Sequence, residues 1–364
     1  MLMKQLLGEE GEMNINEEQL LQISARHRIA PQLYTSVASC RDYSDSFKEK
    51  LQMQYLENTK QVIIAENFLD ELNQFFKKDK IQGIILKGIP LSENYYNNKF
   101  IRHSRDLDLL IDRKYLSAIC NWLHSKGYRL QENIFEYPEQ FQRNYFQTNH
   151  HLAFYGILDD CPKILEIHWK LRSFNDAFPV DPFIDTSPLL STQWENLRVL
   201  NHLDQFIYLC IHGAEHGWYR LKWLVDLPML MKTVFIPWDE LMKRSSELHA
   251  QQHVLSSLHL LNRLAPLHCF QTLLSGHVSN DIRKKSEYAI SKLCSDEIIE
   301  SGFTKAVYNI FYLSSFNGRW KRSSFWKRWF ISTSDWKRFP LPPSLFFLYY
   351  PLRPIFWGIR KISS

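Results

Sequence analysis

The sequence predicts a mixed α/β fold of the α+β kind: a small mixed β-sheet flanked by N-terminal and C-terminal helical regions. Three observations predict it. Apolar residues recur at helical spacing up to about residue 77 and again from about Asp204, short apolar runs between them carry the alternation of strands, and strand-like and helix-like runs follow one another in that middle stretch. The chain divides accordingly into a helical region over 1–77, a sheet-bearing core over 78–195, a second helical region over 196–318 and a basic aromatic tail over 319–364.

The elements follow in order. Leu20, Leu21, Ile23 and Ile29 mark helical packing faces, and Gln61 to Leu69 continues the pattern through Leu72, Phe75 and Phe76. Gln82 to Gly88 reads as a short buried strand ending at a glycine. A polar segment, Ser92 to Asn98, reads as a helix end and loop, and Asp106 to Ile111 as the next strand. Lys114 to Lys126 is helical, with Leu116, Ile119, Cys120 and Leu123 on one side, and stops at Gly127 as a C-terminal cap. His151 to Ile157 and Lys163 to Lys170, joined by a turn from Leu158 to Pro162, read as a β-hairpin.

Composition narrows the class. With 45% hydrophobic residues the chain can bury a sizeable core, and 14% aromatic content with only 12 glycines excludes collagen-like and low-complexity proteins. Six dispersed cysteines form no CxxC pair, which argues against a zinc ribbon or a disulfide framework. The first sixteen residues carry Glu9, Glu10 and Glu12 rather than a secretory pattern, and no apolar run reaches the ~18 residues of a membrane span. A cytoplasmic protein is expected.

Chemistry concentrates at Arg102-His103-Ser104-Arg105-Asp106-Leu107-Asp108. On a strand Asp106 and Asp108 share one face while Leu107 and Leu109 take the other. Two carboxylates on one face near an interior need a cation, and paired oxygen donors favour magnesium or manganese. Glu166 and His168 share a face of the second hairpin strand. If that strand lies beside the first, three carboxylates could hold two metal ions for phosphoryl displacement; alone, Glu166 reads as an ordinary half-exposed residue.

These residues, Leu86-Lys87-Gly88, then Arg102-x-Ser104-x-Asp106-x-Asp108, then Glu166-Ile167-His168-Trp169, resemble an uncharacterised nucleotidyltransferase family of the polymerase-beta superfamily. The resemblance extends to His27 through Tyr34 and to His212 through Asp226, covering most of residues 20 to 230. It implies a nucleotidyltransferase core in the sheet region and metal-dependent transfer of a nucleoside monophosphate from a nucleoside triphosphate, with pyrophosphate released. Asp106 and Asp108 would be metal ligands, and Glu166 a ligand, a base for the acceptor hydroxyl, or both. The superfamily's Gly-Ser phosphate-binding pair is replaced here by Lys87-Gly88, where glycine still permits close approach to phosphate and Lys87 supplies charge.

Around this centre, Arg102 and Arg105 read either as triphosphate contacts, through forked guanidinium bonds, or as partners of the acidic pair. Ser104 fits a turn. His216, Lys222 and Asp226 are candidate substrate or phosphate contacts on a helical wall, with helix packing as the alternative. His212-Gly-Ala-Glu215-His216 lacks the His-Glu-x-x-His order of zinc proteases.

Residues 319–364 carry ten Lys or Arg against Asp335 alone, a net charge of +9, so the first 318 residues sum to −4. Aromatic and basic residues interleave there, which suits an anionic membrane surface, RNA, or packing over the helical region with a solvated basic rim. The expected acceptor is a small molecule, a lipid-linked group or a peptide. The competing functions are a tRNA-modifying toxin-like nucleotidyltransferase, a non-catalytic nucleotide-binding scaffold, and a glycosyltransferase using a metal-binding Asp-x-Asp.

Overall fold

A computed structural model describes residues 16–158, 161–171, 181–189, 194–265, 276–295 and 333–362, together with Leu274. Helices α1 (Glu17–His27), α2 (Ala30–Val37) and α3 (Asp45–Asp79) come first. Asn16 and Ser44 cap α1 and α3 through side-chain oxygens that accept from Gln19 and Phe47 N–H groups. The 35 residues of α3 run along both halves of the interior: Phe47 and Leu51 enter one apolar cluster, Val62 to Phe76 the other.

The sheet has six strands in the order β3-β4-β5-β2-β1-β6. They are β1 (Gly83–Ile85), β2 (Asp106–Ile111), β3 (Arg129–Leu130), β4 (His151–Leu158), β5 (Cys161–His168) and β6 (Leu197–Val199). Pairing is mixed: β1 runs antiparallel to β2 and parallel to β6, while β2 runs parallel to β5. The hairpin expected at 151–170 forms, with its strands reaching further into the turn than the alternation suggests, to Leu158 opposite Cys161. Helix α4 (Ile89–Tyr96) follows Gly88 directly and takes up most of the segment read as helix end and loop. Pro90 suits its first turn, where a missing N–H costs nothing.

Helix α5 (Leu116–Ser125) ends as expected at Gly127, whose φ of 82° lets Tyr128 N–H reach back to the Leu123 carbonyl at 3.0 Å. Helix α6 (Glu139–Thr148) and α7 (Asp181–Thr186) flank the hairpin in sequence. The later helices are α8 (His202–Glu215), α9 (Leu221–Thr233), α10 (Trp238–Glu247), α11 (Gln251–Leu264) and α12 (Asn280–Cys294). They belong with Ile84, Leu86 and Leu110 to one apolar cluster. Ile85, Leu109, Ile111, Leu165 and Ile167 belong to the other, with α5 and the later half of α3. The period-two alternation of β2 thus divides the two cores between the two sheet faces.

Of the basic tail, residues 319–332 lie outside the described residues. Beyond them, α13 (Thr333–Arg338), a 3-10 turn (Pro343–Leu348) and α14 (Tyr349–Ile362) bring Trp336, Phe346, Tyr349 and Phe356 into the second cluster, the first three against Phe141 of α6. Arg353 and buried Asp335 form an ion pair between them. For these residues packing accounts for the aromatic pattern, while Phe347 and Ile355 face outward. Among the described residues no helix is long and apolar enough to cross a membrane.

Candidate active site

Register decides whether the carboxylates meet. Asp108 on β2 is directly opposite Glu166 on β5, and Asp106 opposite Ile164, so Asp106, Asp108, Glu166 and His168 all share the sheet face that α8 covers. The Lys87 ammonium sits between the two aspartates, 3.0 Å from Asp106 Oδ2 and 3.2 Å from Asp108 Oδ2. On the other side of Asp108, His168 Nε2 lies 3.2 Å from its Oδ1 and 3.4 Å from Glu166 Oε2.

The charges respond to these neighbours. Burial alone would lower the Lys87 pKa, but Asp106 and Asp108 outweigh it and hold the ammonium well above its ordinary value. Asp106 falls well below the carboxylate range because Lys87, with Lys222 behind it, overrides burial. Asp108, 1% exposed, goes the other way: its burial dominates and raises it. Burial opposes ionisation of His168, yet its bonds to Asp108 and Glu166 raise it to about 9. Asp108 Oδ2 has the Lys87 ammonium as its one partner, while buried His168 Nδ1 lacks any hydrogen-bond partner.

Gly88 joins this cluster to α4. Its φ of 89° is a left-handed value that a side chain resists, and a Cβ there would meet Ser104 Oγ at 3.1 Å. Gly88 thus brings the start of α4 close to Ser104 and the Asp106 backbone. Helix N-termini favour anions.

Arg102 is committed elsewhere. Its guanidinium donates to both Asp226 oxygens, at 2.8 and 2.9 Å, and Tyr96 donates to the same carboxylate at 2.7 Å. Arg102 is 2% and Asp226 0% exposed, so neither is open to a phosphate. Lys222 is also buried and donates to the His103 carbonyl at 3.4 Å; burial and the nearby Arg102 push its amine well below the usual range. His216 is exposed, with its ring 4.9 Å from Trp223 and 4.6 Å from His212.

Arg105 faces solvent, and the fold gathers two further arginines towards it that sequence reasoning passed over. Leu221 N–H donates to His27 Nδ1 at 3.2 Å, docking the end of α1 on the start of α9 and bringing Arg28 and Arg220 near Arg105. Burial and the charge of Arg220 depress Arg28 to about 10. None of the three makes an ion pair among the described residues, and Arg220 Nε is buried without a hydrogen-bond partner. They line a groove of about 1960 Å³ in which Lys and Arg outnumber acidic residues eight to one. Uncompensated positive charge of this kind is stabilised by an anion.

A family model described as an uncharacterised nucleotidyltransferase matches residues 13–266, more than two thirds of the chain, from α1 to the end of α11. No curated protein matches the chain.

Proposed function

The chain belongs to this uncharacterised nucleotidyltransferase family, and from that premise we propose a metal-dependent transfer of a nucleoside monophosphate from a nucleoside triphosphate to a hydroxyl-bearing acceptor, with pyrophosphate released. The observation that carries it is the pairing of Asp108 with Glu166 on the face of Asp106, with the Lys87 ammonium standing between the two aspartates as a cation would. Three carboxylates on one face fit a hard dication such as magnesium or manganese. Asp106, Asp108 and Glu166 would hold it, and when bound it neutralises phosphate charge at the reacting centre.

The chain's own residues supply the rest. Lys87 and the α4 N-terminus behind Gly88 bind phosphate oxygens, and Arg28, Arg105 and Arg220 hold the outer phosphates. Ser104 lies beside that phosphate. Glu166 accepts the acceptor's hydroxyl proton while His168 fixes its carboxylate. Lys222 and His216 flank the nucleotide. Arg102 and Asp226 act at one remove, locking the loop that leads into β2.

The acceptor is a small molecule, a lipid-linked group or a peptide. A second reading, transfer onto RNA, is favoured by the groove: it exceeds the ~300–1,000 Å³ of ordinary ligand pockets, and all but one of its charged lining residues are basic. Purified protein with α-labelled triphosphates, magnesium and fractionated cell extract should label an acceptor. The reading fails if no fraction is labelled, or if label persists when Asp106 and Asp108 are both Asn; labelled RNA selects the second acceptor class.

A further inference from the structure

We propose that His150, His151 and His168 form a second metal site, built for a transition ion of the zinc class and separate from the oxygen-rich centre. The three histidines come together through the sheet. His151 begins β4 directly opposite His168 at the end of β5, and His150 precedes it at the mouth of the same strand pair. One ring nitrogen from each lies within 4.8 Å of the other two. His150 Nε2 and His151 Nδ1 are 3.1 Å apart. An ion with bonds of ~2.0–2.1 Å in tetrahedral geometry spaces its nitrogens ~3.3–3.4 Å apart, so a small outward shift admits it.

The independent sign is His168 Nδ1. The residue is 3% exposed, and this nitrogen has no hydrogen-bond partner although the opposite one, Nε2, is engaged by Asp108 and Glu166. A ring held by carboxylates at one nitrogen, with its other nitrogen unpartnered and two imidazoles beside it at 5.1 and 5.3 Å between ring centres, has the arrangement found behind metal-bound histidines. Carboxylates in that position orient the ring and strengthen the nitrogen that binds. Three imidazoles prefer zinc, cobalt, nickel or copper over magnesium, which takes oxygen donors. The site leaves a fourth position for water or an oxygen of a ligand.

His168 belongs to both places, touching the carboxylates through one nitrogen and the proposed ion through the other. Occupancy would therefore hold Asp108 and Glu166 in one orientation. The proposal does not depend on the transfer reading, because it rests on the three histidines and the carboxylate bonds of His168 whatever reaction the chain performs.

Untagged full-length protein, freed of metal with a chelator, would be titrated with cobalt(II) and its visible absorption recorded. One equivalent should bind with the intense bands of a tetrahedral nitrogen-rich site, and zinc should displace it. His150→Gln and His151→Gln should each weaken cobalt binding at least tenfold. Asp106→Asn, which removes a carboxylate without touching the histidines, should leave it unchanged. Circular dichroism and the melting temperature of each metal-free variant separate loss of ligand from loss of fold. The proposal is overturned if no cobalt binds, if folded His150→Gln and His151→Gln bind it as wild type does, or if Asp106→Asn abolishes it and so places the ion among the carboxylates.

Discussion

Two buried charge networks lie within a few residues of each other and are built in opposite ways. Arg102, Asp226 and Tyr96 form a closed set: both Asp226 oxygens are bonded, the guanidinium is spent on them, and the group is shut from solvent. Lys87, Asp106, Asp108, Glu166 and His168 form an open one, half-exposed at Asp106 and Glu166, with His168 Nδ1 left without a hydrogen-bond partner. Burial of charge is common to both. What differs is whether each charged atom already has its partner, and incomplete pairing marks the place where a ligand belongs.

The largest effect that tests this contrast falls on the open set. Asp106→Asn and Asp108→Asn should each reduce label transfer roughly a thousandfold or more, because a site that neutralises phosphate charge loses several kcal/mol of transition-state stabilisation. Urea unfolding should change less than for Arg102→Met. Such a variant that unfolds as readily as an Arg102 variant would erase the distinction.

In the closed set the effect should be on stability. Arg102→Met leaves Asp226 buried without its cation and should cost about 3–5 kcal/mol in urea unfolding, whereas Arg102→Met combined with Asp226→Leu should recover most of that loss. A smaller effect is expected at Lys87. With Lys87→Met the two aspartates lose their internal cation, so magnesium should raise the melting temperature of the variant by several degrees and that of wild type by less. Equal shifts in the two proteins would mean that the ammonium does not compete for that position.

The smallest effect is the pH dependence of stability. Burial holds His27 and His151 at about 4, against 6.5 for the free ring. The unfolded chain therefore takes up protons that the fold refuses, and stability should fall as pH drops from about 6.5 towards 4. His168, raised to about 9, works in reverse: its contribution is complete below about 6.5 and is lost as pH rises through 9. Urea midpoints measured from pH 4 to 10 should show both limbs, and His168→Gln should flatten the alkaline one.

How much of this was legible depends on the range of the interaction. Asp106 and Asp108 could be read because a strand repeats every two residues, and the hairpin because its two apolar runs are adjacent. Gly127 announced its turn for the same local reason. The pairing of Arg102 with Asp226 spans 124 residues and leaves no periodic trace, so Arg102 read either as a triphosphate contact or as a partner of the nearby acidic pair. Arg28 and Arg220 converge only because the end of α1 docks on α9. His168 was placed on the correct face, but its bonds to two carboxylates depend on the register between β2 and β5. Three-residue β6 is too short to show a period at all. The aromatic tail was ambiguous for a different reason: a helix that packs one face on a core and a helix that lies on a membrane carry the same amphipathic pattern.

Asn58, halfway along α3, holds the loop before β2 at both ends: its amide donates to the Phe100 carbonyl at 2.6 Å, and its oxygen accepts from Ser104 N–H at 3.1 Å. That helix is anchored in both cores, so the loop is pinned to a 35-residue helix within its span. Lengthening it by even one residue would tear it from its clamp and carry the first aspartate off the sheet. An engineer inserting a peptide tag or a split site should leave residues 98–105 intact.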